Sequence, residues 1–339
     1  MHHPSFSGLP DSVIDSMTNV IVSEFVTISA RGTPIDTPTL GFMAQGGATI
    51  DVATGLAYPV KAERARRNPR VGLWIEGGPD EPVVLIGAMA AVRDANIQDN
   101  VRRYLCETIA YFHTYSHGSS WETARQAVFY WSRIIIECTP AIVYWWPNAA
   151  ALNNPPNIWN APSAKQFPAS DPAPVGTASA APAWEAQDWG AAADGMLAAQ
   201  VPAHVSRVAE NGFPLPMRLR SIARHESGFV IDLPRGAPFA RDGEACLTFQ
   251  GFATFIGQLQ ASGTQQLFEV DRMLATLPLV RDSKEIWAPS AATRERLMAR
   301  LLAELARRSQ PLPQIPAEPP PPTEGSLRRA ARMAAAAGG

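Results

Sequence analysis

Cysteine is scarce in this chain. Cys106, Cys138 and Cys246 are odd in number and scattered, so they make neither a disulfide framework nor a zinc motif, and a reducing cytoplasm is the expected compartment. Charge is thin as well. Charged residues are 18% of the 339 and the formal net charge is -2, which removes any electrostatic reason to expect nucleic acid or an anionic membrane as partner. No apolar run is long enough to cross a bilayer, and Met1-His2-His3-Pro4 does not open a basic-then-apolar leader. A Gly-x-Ser-x-Gly elbow, a P-loop and a dinucleotide fingerprint are all missing, so hydrolase, NTPase and NAD-fold chemistry lack support. What is present is a globular composition, 46% hydrophobic, over a length that suggests two domains.

The first half reads as a meander of short strands with glycine turns, the pattern of an antiparallel sheet or barrel. A short helix is expected over 11–20, capped by Asp11 or Ser12. Strands follow at Phe25 to Ala30 and Ile35 to Phe42, joined by the turn Arg31-Gly32-Thr33-Pro34. Thr49 to Thr54 is β-branched and ends at Gly55. Lys61 to Arg67 is made of helix formers and is stopped by Asn68-Pro69, because proline disfavours helical backbone in the residue before it. Val71 to Ile75 resumes extended chain. Pro82 to Arg93 is a long strand whose Gly87 suits a bulge. Ile97 to Tyr115 has helical spacing, and Trp121 to Phe129 makes a second helical piece. Ser132 to Cys138 and Ala141 to Trp146 read as strands separated by a Thr139-Pro140 break.

A strand that turns through Thr54-Gly55 into a helix start, with Lys61 close by, offers free backbone N–H groups and a cation, a cradle suited to an anion such as phosphate. The competing reading is a solvated basic helix on an ordinary sheet. Lys61 stands seven before Asn68, which is followed by Pro69, Arg70 and Val71. This segment resembles the flavin-phosphate segment of the pyridoxamine 5'-phosphate oxidase-like family, the FMN-binding split barrels. The resemblance implies a fold that is mainly β with peripheral helices (α+β), with FMN held by Lys61, Thr54 and Gly55. It also implies that Thr37, Pro38, Thr39 and Leu40 run along the flavin ring. The family's oxidases carry an arginine where Thr37 stands, so the resemblance implies a weaker phosphate grip and argues against pyridoxamine phosphate oxidation itself. Arg133 is a candidate to reach the flavin or an acidic substrate, with Glu137 as its alternative partner. Trp145 and Trp146 are candidates to stack on a ring, against core packing. Arg66 and Arg67 are expected on solvated surface. His113 and His117 are four apart but lack a third ligand, so a metal site is not expected.

The second half repeats the first weakly. Gly32-Thr33-Pro34 aligns with Gly212-Phe213-Pro214, Gly47-Ala48-Thr49-Ile50-Asp51 with Gly228-Phe229-Val230-Ile231-Asp232, and Leu85-Ile86-Gly87 with Phe255-Ile256-Gly257. The second copy has no room for a counterpart of the Lys61 helix between Gly236 and Leu247. The expected organisation is a first split β-barrel over 1–147, a Pro/Ala-rich linker over 148–200 draped through Trp159, Phe167 and Trp184, a second, degenerate split β-barrel with a C-terminal helix over 201–308, and a disordered tail over 309–339. Such a duplication permits an intrachain pseudo-dimer, or a homodimer through the first barrel. Arg218 and Arg220, sharing a strand face, are candidates to line a cleft toward the first barrel. The implied activity is that of an FMN-dependent oxidoreductase on a small organic substrate. Deazaflavin F420 or haem is the alternative cofactor, and a non-catalytic flavin-binding or sensor protein is the alternative class.

Overall fold

The computed structural model describes residues 6–44, 46–179, 189–262, 265–274 and 286–338. A helix α1 (Asp11–Thr18) precedes β1 (Val22–Ile28), β2 (Pro34–Met43) and β3 (Ile50–Gly55); α2 (Val60–Arg67) leads into β4 (Arg70–Ile75) and β5 (Val83–Arg93); α3 (Ile97–Thr108) precedes β6 (Arg133–Trp146) and the short β7 (Asn157–Asn160). The strand order is β3-β2-β1-β4-β5-β6-β7, and β3 also pairs with β6, so the first six strands close into a barrel. β2 makes the closure possible by changing partners along its length: Pro34 to Leu40 pair with β1, and Gly41 to Met43 with β3.

The second sheet contains β8 (His204–Val208), β9 (Pro214–Arg218), β10 (Ser221–His225), β11 (Gly228–Asp232), β12 (Gly243–Phe249), β13 (Ala253–Ser262) and β14 (Gln265–Met273), in the order β10-β11-β14-β13-β12-β8-β9. Its two edges, β9 and β10, are consecutive in the chain. They meet at Leu219, whose N–H donates to Ala203 O at 2.9 Å, and Arg220, whose N–H donates to Asp232 O at 2.9 Å. This is the partner exchange of β2 with a kink at the crossing point. The hairpin turns agree as well, Ile28 opposite Pro34 and Val208 opposite Pro214. The register slips beside Gly87 in β5 and beside Gly257 in β13. The internal repeat is therefore a repeat of topology and of bulges, and the chain is mainly β with peripheral helices, a closed barrel and a second curled sheet of the same strand order. The kink also separates Arg218 from Arg220, which do not share one strand face.

The two halves pack face to face. Gly72 on β4 lies so close to β9 that a β-carbon there would overlap the Pro214 carbonyl, and one on Gly87 would meet the Phe213 ring at 2.8 Å. On the other side Gly251, in the β12–β13 turn, faces Pro38 of β2 in the same way. Apolar packing crosses the seam, since Trp74, Leu85 and Trp146 of the first barrel share one cluster with Phe229, Phe249 and Phe255 of the second. The two halves of the chain are thus in direct contact along one seam.

Several sequence expectations change. β6 is continuous through Thr139-Pro140, because the bulge that pairs Gly87 with Ile142 and Ala88 with Pro140 leaves room for a residue lacking a donor. The helix expected to Tyr115 ends at Thr108 and continues as separate short turns. Helix α1 follows Pro10 and has no side-chain cap. After α4 (Gly190–Ala198) and the second sheet comes α5 (Ala291–Arg307). It was expected with the second barrel, but Leu297, Leu301 and Leu305 bury in the first barrel's core beside Trp287. The segment expected as a disordered tail runs back over α3 and ends in α6 (Glu324–Gly338), where the buried Arg329 pairs with Glu107. The linker is tied down where Asp171 accepts from the N–H groups of Asp94 and Ala95 at 2.8 and 2.9 Å, and where Trp159 donates to Ser7 O at 3.0 Å. Phe167 is 37% exposed, and Trp184 lies outside the described residues.

Because Gly72 meets backbone rather than a flexible side chain, Gly72→Ala should lower stability by about 1–3 kcal/mol, the usual range for overpacking. Gly195→Ala on α4 meets nothing within 4 Å and should be neutral or slightly stabilising. Thermal melts of the two variants check this; equal melting temperatures would show that the backbones are not in contact at Gly72.

Candidate functional site

β3 ends at Gly55, opposite Arg133 at the start of β6. The amides of the bend that follows are already used: Leu56 N–H donates to Ser132 O at 2.9 Å and Tyr58 N–H to Gly55 O at 3.0 Å. This corrects the expectation of free N–H groups at the bend: the β3–β6 pairing continues past Gly55 to take up Leu56, and a local turn takes up Tyr58. The cation expected there is present. Helix α2 buries Ala62 and Ala65, and Arg64 on its other side donates to Thr27 Oγ1 at 2.7 Å. Lys61 is half-buried and makes no hydrogen bond or ion pair among the described residues. Burial brings its pKa down to about 8, helped by Arg64 and Arg133 and opposed by Asp36 and Glu24.

Arg133 adds a second cation. Its guanidinium lies 4.1 Å from the Tyr130 ring centroid and 4.5 Å from that of Tyr104, and its Nε is buried without a hydrogen-bond partner. A β-carbon on Gly55 would stand 3.7 Å from Arg133 Nη1. Glu137, considered as its partner, instead pairs with Arg93 at 2.7 Å. The structure thus brings Gly55, Lys61 and Arg133 together. Thr54 is buried opposite Ile134. Arg66 is not on solvated surface: it pairs with the buried Asp94 at 2.7 Å.

The ring stretch of β2 is placed differently. Thr37 Oγ1 donates to Phe25 O at 3.5 Å and Thr39 Oγ1 to Ala53 O at 3.3 Å, so both hydroxyls are spent within the barrel. Pro38 lies under Gly251 of the second barrel, and Leu40 packs on the first core. Trp145 packs on the same core, opposite Val84 and Asn157, at the end of β6 remote from Arg133. Trp146 is buried in the cluster that crosses the seam. Among the described residues no group of three or more His, Cys, Asp or Glu could hold a metal.

Sequence reasoning missed the acids facing Lys61. Asp36 and Glu24 project from the outer faces of β2 and β1 into the seam and are buried. Asp36 accepts from Ser206 Oγ of the second barrel at 2.6 Å, and its N–H donates to Cys246 Sγ at 3.5 Å. Burial raises the pKa of Asp36, offset by the Ser206 hydrogen bond, and raises that of Glu24, reinforced by Asp36. Glu24 Oε1 stands 3.6 Å from Nδ1 of His204, whose pKa is lowered to about 3 by burial and then by Arg218. The available signal was a single carboxylate in each of two otherwise uncharged strands, Ser23-Glu24-Phe25-Val26 and Ile35-Asp36-Thr37. A solvent-facing strand reads the same way.

No protein-family model matches the chain, and no curated protein matches it in sequence. Solved structures do match. General stress protein 26 of Bacillus anthracis is 13% identical and matches 44% of this chain and 98% of its own length, with a TM-score of 0.27. A pyridoxamine 5'-phosphate oxidase-related, FMN-binding protein of Nostoc punctiforme is 8% identical, with 45% and 90% covered and a TM-score of 0.33. An F420 reductase is 14% identical, with 41% and 100% covered and a TM-score of 0.31. Each of these matches spans less than half of this chain.

Proposed function

We propose that the first barrel holds the phosphate of a flavin-type ring cofactor, FMN, against Lys61 and Arg133, and that the chain is an FMN-dependent oxidoreductase acting on a small organic substrate. The observation that carries this reading is the pair of cations at the Gly55 bend. Lys61 lacks a partner among the described residues and Arg133 has an orphaned buried Nε, so an anion supplied from outside would satisfy both. The residues at the bend therefore fit the phosphate end of the cofactor. Arg133 is held in place by its two tyrosine rings, so little side-chain freedom would be lost on binding, and a charge-assisted hydrogen bond is about twice as strong as a neutral one. Thr54 and Gly55 line the bend. Bound flavin supplies hydride or electron transfer, and the protein supplies orientation and electrostatics. The second barrel covers the outer face of β1 and β2 and shields the site from water. Deazaflavin F420 offers a phosphate to the same cations and is the alternative cofactor.

A second reading, a flavin-binding or sensor protein without turnover, is favoured by two observations. Thr37 stands where the resembling oxidases have arginine, and Gly251 lies on Pro38 where the ring would run. Flavin that binds yet is never reduced by an added electron donor would favour it. A Soret band in the purified protein would assign haem instead.

Lys61→Ala should weaken FMN binding by about 1.5–3 kcal/mol, the range for hydrogen bonds to charged groups. A titration of flavin fluorescence checks it, and an unchanged affinity removes Lys61 from the site. The pH dependence has a definite sign. The lysine is protonated below its pKa of about 8 and loses its charge above, so FMN affinity should fall as pH rises through that value. Phosphate binding itself raises the lysine pKa, so the midpoint in the complex lies higher. An affinity that is flat from neutral to alkaline pH in wild type, or one that falls identically in Lys61→Ala, would sink this assignment.

A further inference from the structure

Helix α6 is docked in an unusual way. The face it buries is polar: Ser326 is 0% and Arg329 1% exposed, whereas Leu327 points outward at 54%. Helix α5, by contrast, buries a stripe of leucines, Leu297, Leu301 and Leu305, as an amphipathic helix normally does. What holds α6 is charge. Arg329 pairs with Glu107 of α3 and donates to its backbone carbonyl at 2.8 Å. Thr323 Oγ1 donates to Glu107 Oε2 at 3.1 Å and accepts from the Ser326 N–H at 3.0 Å, capping the helix. The Nε of Arg329 is buried without a hydrogen-bond partner, so docking leaves one polar group unsatisfied. A buried ion pair of this kind fixes where an element sits more than it adds net stability.

The segment before α6 is fastened differently, by neutral hydrogen bonds. Gln98 of α3 donates to Gln314 O at 3.1 Å and accepts from its N–H at 2.7 Å, and the Trp121 indole donates to Ala317 O at 2.9 Å. The tether is therefore fixed up to Thr323, and the helix beyond it hangs on ion pairs. One turn further along α6, Arg332 reaches the seam. A cleft of about 300 Å3 opens there, lined by Ser16 of α1, Glu24 and Trp74 of the first barrel, His204 and Arg218 of the second, and Arg332. Its rim is ion-paired. Arg218 pairs with Glu76, and Arg332 with Glu81, both in the loop 76–82 between β4 and β5. A β-carbon on Gly77 of that loop would overlap the Arg332 guanidinium. The cleft leads toward the site already described, because Glu24 lies opposite Pro38 across β1 and β2 and faces Lys61.

We propose that α6 is a strap latched by charge across the rim of the seam cleft. Docked, Arg329 sits on Glu107 and Arg332 narrows the mouth against Glu81. Released at Thr323, the helix swings off α3 and widens the approach between the barrels, while the tether and both barrels stay folded. That this approach leads to a flavin rests on the cofactor reading. The strap itself does not.

Hydrogen exchange of the full chain, read by mass spectrometry without flavin, tests the strap. In wild type the α6 amides should exchange at least about a hundredfold faster than those of β4 and β5, since a strap opens locally and a barrel strand only globally. Glu107→Gln keeps an oxygen and removes the charge. It should speed exchange in α6 by about a further tenfold and leave β4 and β5 unchanged, because only the latch is weakened. Combining Glu107→Leu with Arg329→Met replaces the latch by apolar contact and should slow α6 again. The mouth is read separately, by maleimide labelling of a Ser16→Cys thiol, a position 6% exposed in the docked state. Labelling should quicken in Glu107→Gln and also in Arg332→Ala, whose ion pair lies at the partly exposed rim and whose loss leaves the barrels folded. Wild-type exchange in α6 as slow as in β4 and β5 would overturn the proposal. So would exchange that quickens in α6, β4 and β5 together in Glu107→Gln, or unchanged labelling at position 16 in both variants. No arm contains FMN, so failure of the cofactor reading leaves these results as they are.

Discussion

Close contact between two barrel faces is the constraint on which the rest of the molecule depends. It is backbone contact, made where side chains are missing or locked. Gly72 meets the Pro214 carbonyl, Gly87 the Phe213 ring, and Gly251 the Pro38 ring. Glycine allows that approach because it has no β-carbon, and proline on the facing strand gives up no donor that would then be stranded. Once the faces touch, apolar residues of both barrels merge into one cluster, and their burial supplies the favourable free energy. The polar residues caught between the faces then have no access to bulk water. Glu24, Asp36, Ser206 and His204 acquire their character from that enclosure, through desolvation more than through any single partner.

Duplication followed by divergence has left the seam unequal on its two sides. One side carries a basic helix, two cations and a closed turn over Pro38. The other carries no such helix, an ion-paired rim and an open cleft. Both inequalities arise from loop lengths. The β3–β4 connection accommodates α2 whereas the β11–β12 connection does not, and the β4–β5 loop is longer than the β12–β13 turn. The two sides of the seam thus differ chemically without any change in strand order. The first barrel is also reinforced from far along the chain, by α5 in its core and by the Arg329–Glu107 pair under α6. Arg332, on that same helix, pairs with Glu81 of the β4–β5 loop and reaches the seam between the two sheets.

Much of this architecture was legible in the sequence because it rests on local rules. Strand and turn chemistry placed β1 to β5, the proline at position 69 placed the end of α2, and Gly87 was visible as a bulge before any pairing was known, with Gly257 as its counterpart in the repeat. The repeat was readable because turns preserve their glycines and prolines even where side chains drift. Lys61 stood out because a lysine at a strand-to-helix bend is an unusual local feature. The destination of α5 was not legible, since an amphipathic helix specifies an apolar stripe and not the surface that covers it. The engagement of the Leu56 amide was not legible either, because its partner Ser132 lies far along the chain.

The sequence by itself determined most strands of the first barrel, its turns and the cation at the bend, properties of neighbours within a few residues of one another, and the duplication through its repeated turns. Only the tertiary structure decided which strand faces are outside. Glu24 and Asp36 read as solvent-facing carboxylates until a second barrel closes over them, and His204 reads as an ordinary strand residue until Glu24 stands opposite it. The physical reason is that alternation along a strand specifies two faces but not what each face meets, and the protonation of a carboxyl depends on its dielectric surroundings rather than on its sequence neighbours.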